Sequence, residues 1–346
     1  MNRSFIGRRF GIRREGGTTN LLTSLVAFAG SVMVTRVFLE LTGYPQIGNN
    51  VLHIAHALWG GLLLIVAAIL PLILAGGRVL HLSALLGGVG VGLFIDEIGK
   101  FITQANDYFF PPSLSLIYGF FLLGVLLYAI VRREQTIDDR QAVSYALDGL
   151  RELLQGELDS SEADRMVKNL EKARRSQDPI IAELAGVLGQ FLQRSASDLP
   201  STKRSLWGRL TAGIDRWGER LGRTRSRLIV VLVLVLWLAV VTGYLFILLD
   251  GSFEIAASVV RMRWLLAGIQ GVVGLLMVSA LMAILLKRER YGLNLGIAGF
   301  LFSLVALQLL YFYISQFYAI TSTLIQFCFL MFFLAYRRRY LAEEIG

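Results

Sequence analysis

The chain has 346 residues, 55% of them hydrophobic, and a formal net charge of +9 at pH 7. Its mean hydropathy of +0.60 exceeds that of an ordinary soluble domain. The lone Cys328 lies inside an apolar run, which excludes an intrachain disulfide and a Cys-based metal site.

In chain order, eight stretches are apolar for long enough to cross a hydrocarbon core as helices: about 21–41, 51–75, 79–98, 113–131, 227–249, 264–286, 293–313 and 317–336. No alternating ten-residue pattern occurs, so an outer-membrane barrel is disfavoured. The fold expected is all-α, a polytopic bundle interrupted by a helical insert. Its parts are a basic N-terminus (1–20), a first four-span bundle (21–131), the insert (132–226), a second four-span bundle (227–336) and a tail (337–346).

The positive charge is distributed by topology. Arg3, Arg8, Arg9, Arg13 and Arg14 precede the first span, and Arg78 lies in the second connection. Arg132 and Arg133 follow the fourth span, Lys287, Arg288 and Arg290 the sixth, and Arg337 to Arg339 the eighth. All of these fall on one side of an eight-span chain, and the other side holds only Lys100, Arg261 and Arg263. The positive-inside rule then predicts a bacterial cytoplasmic membrane protein with both termini and the insert in the cytoplasm. The same distribution argues against nucleic acid as a partner. Arg8-Arg9-Phe10 faintly resembles a twin-arginine signal, but the run that follows is long and lacks a small-residue cleavage site, so a retained signal-anchor is expected.

Within the insert, Asp138–Gln155, Ser161–Arg175 and Pro179–Gln193 have helical patterns. Ser160 or Ser161 is the expected N-cap of the second helix, and Asp178 before Pro179 marks the start of the third. Such a small unit has a modest core and is expected to lean on the membrane face, with a protein partner there as one outcome. Leu206, Leu210, Ile214, Trp217 and Leu221 then recur at helical spacing among Lys203, Arg204, Arg209, Arg216, Arg220, Arg223 and Arg225. This pattern predicts an amphipathic helix on the anionic leaflet.

Ionisable residues inside spans are costly and are kept for a purpose. His53 and His56 stand one turn apart at the start of span two, and Asp96 and Glu97 close span three. Arg36 and Glu40 end span one, and Lys100 follows span three, so topology brings all of these to one level. Ala84, Gly88, Gly92, Asp96 and Lys100 form one stripe of span three, and Gly88 with Gly92 makes a small-residue surface for close helix packing. The simplest packing sets that stripe against the His53–Ala57–Gly61 and His56–Gly60 rows of span two.

Three readings of this cluster stay open. His53, His56, Asp96, Glu97 and Glu40 could bind a divalent metal such as zinc, with Asp96 or Glu97 as catalytic carboxylates toward a lipid or other amphiphile. The same groups could bind and release protons or a small ion, as in a coupled transporter. Alternatively, His–Asp contacts and an Arg36–Glu40 pair at four-residue spacing tie helices together, in a scaffold signalling through the insert. Asp107, in the aromatic loop before Pro111 and Pro112, is a further candidate ligand, whereas His81 reads as an interfacial residue. Asp250, Glu254, Arg261 and Arg263 read as a solvated connection, and Gln270 and Gln308 as hydrogen-bonding groups between helices.

Known catalytic patterns are otherwise missing: there is no Gly-x-x-x-x-Gly-Lys-Ser/Thr, no Gly-x-Ser-x-Gly and no His-Glu-x-x-His. Whether the chain is an enzyme stays open. The segments His53-Ile54-Ala55-His56-Ala57-Leu58-Trp59-Gly60-Gly61 and Gly92-Leu93-Phe94-Ile95-Asp96-Glu97-Ile98-Gly99-Lys100-Phe101 resemble a group of uncharacterised bacterial polytopic membrane proteins. The resemblance covers the first four spans and implies no activity. With no histidine after His81, the chain departs from membrane hydrolases of the alkaline-ceramidase type.

Overall fold

The computed structural model describes residues 14, 16–43, 55–104, 110, 112–132, 137–195, 199, 206–250 and 257–341, the side chains at 206–221, 250, 257–261, 316 and 317 excepted. Every regular element among them is helical: α1 (Gly17–Thr42), α2 (His56–Ile73), α3 (Gly77–Asp96), α4 (Ile98–Ile102), α5 (Pro112–Arg132), α6 (Asp139–Leu154), α7 (Ser160–Ala173), α8 (Pro179–Ser195), α9 (Leu206–Asp250), α10 (Ala257–Leu285), α11 (Glu289–Phe302), a π turn (Ser303–Leu307), α12 (Gln308–Ile314) and α13 (Gln316–Tyr340). Eight spans among the described residues are long and apolar enough to cross a membrane, and the chain is a multi-pass membrane protein. Large apolar side chains stay exposed along them, for example Val34, Leu72, Leu232 and Leu275, as a lipid-facing surface requires. The helices outrun the apolar runs. The last continues through Arg337, Arg338 and Arg339, where cations at a helix C-terminus are favourable.

The chain divides into two compact units, Met1–Ile98 with Leu123–Arg204, and Gly99–Leu122 with Ser205–Gly346. The helix α5 is shared, its first half belonging to the second unit and its remainder to the first.

In the first unit α1 and α3 run parallel, with α2 antiparallel to both. Glycines set the spacing. A Cβ on Gly88 would collide with the carbonyl oxygen of Ser24, and one on Gly92 would stand 2.8 Å from the carbonyl oxygen of Phe28. A Cβ on Gly60 would stand 2.7 Å from the amide nitrogen of Phe94, and one on Gly90 would stand 2.8 Å from the carbonyl oxygen of Gly60. The Gly88–Gly92 stripe therefore packs on α1, and α2 meets the neighbouring Gly90. This corrects the expected pairing of that stripe with α2: Gly61, on the expected face, has open space beside it. Removing side chains brings backbones together, and dispersion then replaces the missing ridges.

The insert's three helices fall where the pattern predicts and bury Ala146, Ala163, Leu170, Ala173 and Leu192 among themselves. The second helix is capped differently: Asp159, not Ser160 or Ser161, accepts the Glu162 amide at 2.9 Å. The carboxylate of Asp159 reaches that amide while its backbone stays extended, so the helix begins one residue earlier. The insert docks on the turn between α2 and α3. Gln155 donates to the Ala75 carbonyl at 2.8 Å, and the Arg78 guanidinium lies 3.2 Å from the Glu157 carboxylate. Gly76 takes a φ of 136° in that turn, which a side chain would resist. Beside this dock, the first turns of α1 and α3 and the insert frame a half-open cleft of about 240 Å³ lined by Asn20, His81, Asp148 and Glu152 among others.

In the second unit Gly222 (φ 67°, ψ 166°) breaks α9, separating the segment predicted as amphipathic from the span. That segment is helical, and its side chains lie outside the described residues. The core packs Leu234, Met277, Leu293, Phe300 and Phe333. At one end Glu289 accepts from Arg223 at 3.2 Å and from the Tyr336 hydroxyl. At the other, Arg263 donates to the carbonyls of Leu248 and Leu249, so it finishes a helix end and is not part of a solvated connection, as its sequence position suggested.

Replacing Gly88 with Leu is expected to lower the thermal midpoint of the detergent-solubilised protein markedly, because the rigid Ser24 backbone cannot give way; overpacking of this kind costs about 1–3 kcal/mol or more. Glu162 provides a pH test. Burial and then the nearby Asp159 carboxylate hold its carboxyl above the ordinary range. The native state thus binds this proton more tightly than the unfolded chain. The contribution is present in acid and is lost as pH rises through the native value, leaving a penalty at neutral pH. Glu162→Gln is expected to slow hydrogen exchange in α7 at neutral pH and leave it unchanged in acid.

Candidate functional site

A carboxylate at the C-terminus of a helix faces the negative end of the helix dipole, and inside a bundle it also loses its hydration. Asp96 is the last residue of α3 and Glu97 its C-cap, and both are almost completely buried, at 0% and 1% exposure. Such a position holds only if cations or positive helix ends come to it.

Two side chains do. Arg36, itself 4% exposed, donates from Nε to Asp96 Oδ1 at 2.7 Å and from Nη2 to the Asp96 carbonyl at 3.5 Å. It thereby pairs the carboxylate and also covers a helix-terminal carbonyl. The register explains its arrival: Phe28, Val32 and Arg36 follow one another along the buried face of α1, one turn at a time, beside Gly88, Gly92 and Asp96. His56, the first residue of α2, lies between the two acids. Its Nε2 is 3.2 Å from Asp96 Oδ2, and its Nδ1 is 3.1 Å from Glu97 Oε1. At Nε2 the approach is an ion-pair distance and not an aligned hydrogen bond. Placing His56 at the α2 N-terminus also turns the positive end of that helix toward the acids.

Four of the expected site residues are therefore brought together: Arg36, His56, Asp96 and Glu97. Glu40 is exposed one turn beyond Arg36, and Lys100 is half-buried past Glu97. His53 and Asp107 lie outside the described residues. His81 is exposed at the insert-side end, away from this cluster. The interhelical Arg36–Asp96 pair was not anticipated, since Arg36 was matched with Glu40 on its own helix. The signal was present, because an arginine that continues a Phe28–Val32 row sits on a buried face.

The expected metal site does not take shape among the described residues, where no group of three or more His, Cys, Asp and Glu side chains is disposed to hold an ion. Ligation needs a ring nitrogen and carboxylate oxygens aimed at one point about 2 Å from each. Here the two nitrogens of His56 serve two different carboxylates. What the arrangement can do is hold a proton: with His56 protonated, imidazolium and guanidinium balance two carboxylates in formal charge, and each ring nitrogen lies within ion-pair distance of a carboxylate oxygen.

A second buried polar group occurs in the other unit, joining α10, α12 and α13. Gln308 and Gln326 donate to the Ser322 hydroxyl at 2.9 and 3.0 Å, and Gln270 accepts from Tyr311 at 3.4 Å. The hydrogen-bonding roles expected of Gln270 and Gln308 are thus seen, whereas Ser322 and the π turn had no sequence signal.

No family model, no curated protein and no solved structure matches the chain.

Arg36→Met should destabilise the protein by about 3–5 kcal/mol, since it leaves a buried carboxylate without its cation. The double variant Arg36→Met/Asp96→Asn should recover much of that loss. A double-mutant cycle on denaturation midpoints in detergent checks the coupling, and additive effects would refute it.

Proposed function

We propose that the protein is a proton-coupled transporter in which His56, Asp96, Glu97 and Arg36 form the proton-binding site. The observation that carries this reading is a single imidazole between two buried carboxylates, one of them already held by a guanidinium. Gain of a proton neutralises the cluster, and its loss leaves an uncompensated negative charge at the end of α3. A change of that size in a poorly hydrated site alters the forces between α1, α2 and α3, which is what coupling to a conformational step requires. The charge distribution supports a bacterial cytoplasmic membrane with both termini and the insert inside. The resemblance to bacterial polytopic membrane proteins in the first four spans accords with that location and adds no substrate.

Geometry favours the proton over the metal, because the ring nitrogens diverge toward separate acids. A transition metal bound in stoichiometric amount and lost in His56→Ala would overturn the proposal in favour of a metal site.

With only three histidines in the chain, selective ¹⁵N-histidine labelling isolates the ring. Asp96→Asn or Glu97→Gln is expected to change the His56 ring resonances, and a pH jump on protein adsorbed to a supported membrane should displace charge in wild type and not in His56→Gln. His56 ring resonances indifferent to both acids, with charge displacement persisting in His56→Gln, would sink the reading.

A further inference from the structure

The second unit contains a feature that the proton site does not use. Between α11 and α12 the helix widens to a π turn, with the Gln308 amide donating to the carbonyl of Ser303, five residues earlier. Such a turn costs helical hydrogen bonding and is frequently found at functional sites. Its cost is partly met by the half of α5 in the same unit: Tyr118 donates its hydroxyl to the Leu304 carbonyl at 2.7 Å, and Ser115 donates to Leu309 at 2.8 Å. The extra residue also changes which side chains share a face. Positions five apart stack in a π turn, so Ser303 and Gln308 fall on the same side of the helix.

That side is built of neutral oxygens. Ser303, Gln308 and Gln326 are all 0% exposed, and Ser322 is 7% exposed. Ser322 Oγ accepts an N–H from each of the two glutamines, which fills both of its lone pairs. Both amide carbonyls are thereby turned away from it. Gln308 Oε1, Gln326 Oε1 and Ser303 Oγ have no hydrogen-bond partner in the protein. A buried acceptor left unsatisfied costs about 1–3 kcal/mol, and these three residues are linked to one another through Ser322 and the π-turn hydrogen bond, so a shared partner is called for. The neighbouring Gln270, by contrast, is satisfied on both sides, by Tyr311 and by the Val241 carbonyl. Trp237 Nε1 and Thr323 Oγ1 in this unit also lack a partner, but Ser303, Gln308 and Gln326 are the ones tied to the π turn and to Ser322.

We infer that Ser303, Gln308 and Gln326, held in place by Ser322, form a binding site for a hard monovalent cation of the alkali series. Two of the leftover atoms are amide carbonyl oxygens, which only accept, and the third is a hydroxyl oxygen, which can accept, so the set suits a ligand that takes oxygen lone pairs. Oxygen-only donors disfavour zinc and other transition metals, which prefer nitrogen and sulfur. None of the four side chains is a carboxylate, so the charge of a divalent ion would be poorly compensated. Neutral carbonyl and hydroxyl oxygens replace the hydration shell of a monovalent ion, as the carbonyl rings of selective channels do. The site stands on different residues from the proton site, and either can fail without the other.

The test is equilibrium binding of ²²Na⁺ and ⁸⁶Rb⁺ to the full-length protein in detergent at constant ionic strength, with choline as the balancing cation. Saturable, stoichiometric binding of one of the two is expected. It should weaken roughly tenfold or more in Gln308→Leu and in Ser303→Ala, a loss of at least about 1.4 kcal/mol, and stay unchanged in His56→Gln. Ser303→Ala removes one oxygen without altering the Ser322 hydrogen bonds, so it serves where Gln308→Leu does not fold. No saturable binding of either ion in wild type would mean that water alone satisfies these oxygens and would overturn the inference. Binding that survives both substitutions would overturn it too, placing the cation elsewhere.

Discussion

The organising constraint in the first unit is a carboxylate that closes an apolar helix. Asp96 sits at the worst end of α3 for a negative charge and is completely buried. Everything around it answers that position. Arg36 is driven to a depth where an arginine is costly, and α1 approaches α3 closely enough for it to reach only because Gly88 and Gly92 carry no side chains. His56 begins α2, so the helix that packs on the other side of α3 offers its positive end and a titratable ring together. Glycine spacing and charge pairing thus depend on each other: widening either helix gap would leave Asp96 without a partner.

The second unit meets the cost of burying polar groups without charge. Its spans are joined by amides, hydroxyls and tyrosines, and its local defect is one of backbone, not of charge. The π turn displaces the helix register by one residue, and Tyr118 satisfies the Leu304 carbonyl there. An apolar residue at position 118 would leave that carbonyl without its hydroxyl partner. Arginine is used mainly at helix ends: Arg263 covers the carbonyls of Leu248 and Leu249, and Arg227 donates to Ile284 at 3.1 Å. The unit is therefore polar inside and neutral, with its charges at its ends.

Much of this was legible in the sequence, for physical reasons. Span length is set by the bilayer and leaves an unmistakable run of apolar residues, so all eight spans and the three insert helices could be placed to within a few residues. That His56, Asp96 and Arg36 fall at one level followed from topology alone. Partner choice was less accessible. Small residues lie on more than one face of α3, and periodicity does not say whether α1 takes the Gly88–Gly92 row or the Gly90 row. Arg36 had a plausible partner four residues away, and only the buried Phe28–Val32 row on its own helix pointed across the interface. The π turn has no signal of its own. Ser303-Leu304-Val305-Ala306-Leu307 would serve equally in an ordinary helix, and the turn becomes visible only when Gln308 and Tyr118 find their partners in three dimensions.

The chemistry of the two buried polar groups decides what each can accept. A cluster of two carboxylates, a guanidinium and an imidazole can change its charge only at a titratable group, and the imidazole is the member placed between acids. Adding a metal there would require His56 to give up one carboxylate, which would return an ionised acid to the end of α3 without its neighbour. The group around Ser322 has the opposite character. It has no proton to exchange near neutral pH, yet it holds oxygens that the protein leaves without donors. A proton would gain little from amide and hydroxyl oxygens, which are weak bases, whereas an ion that trades hydration for fixed dipoles would gain from several at once. The division between a titratable site and a neutral one is thus written in the side-chain types themselves, and the fold's contribution is to bury each deeply enough for that difference to govern binding.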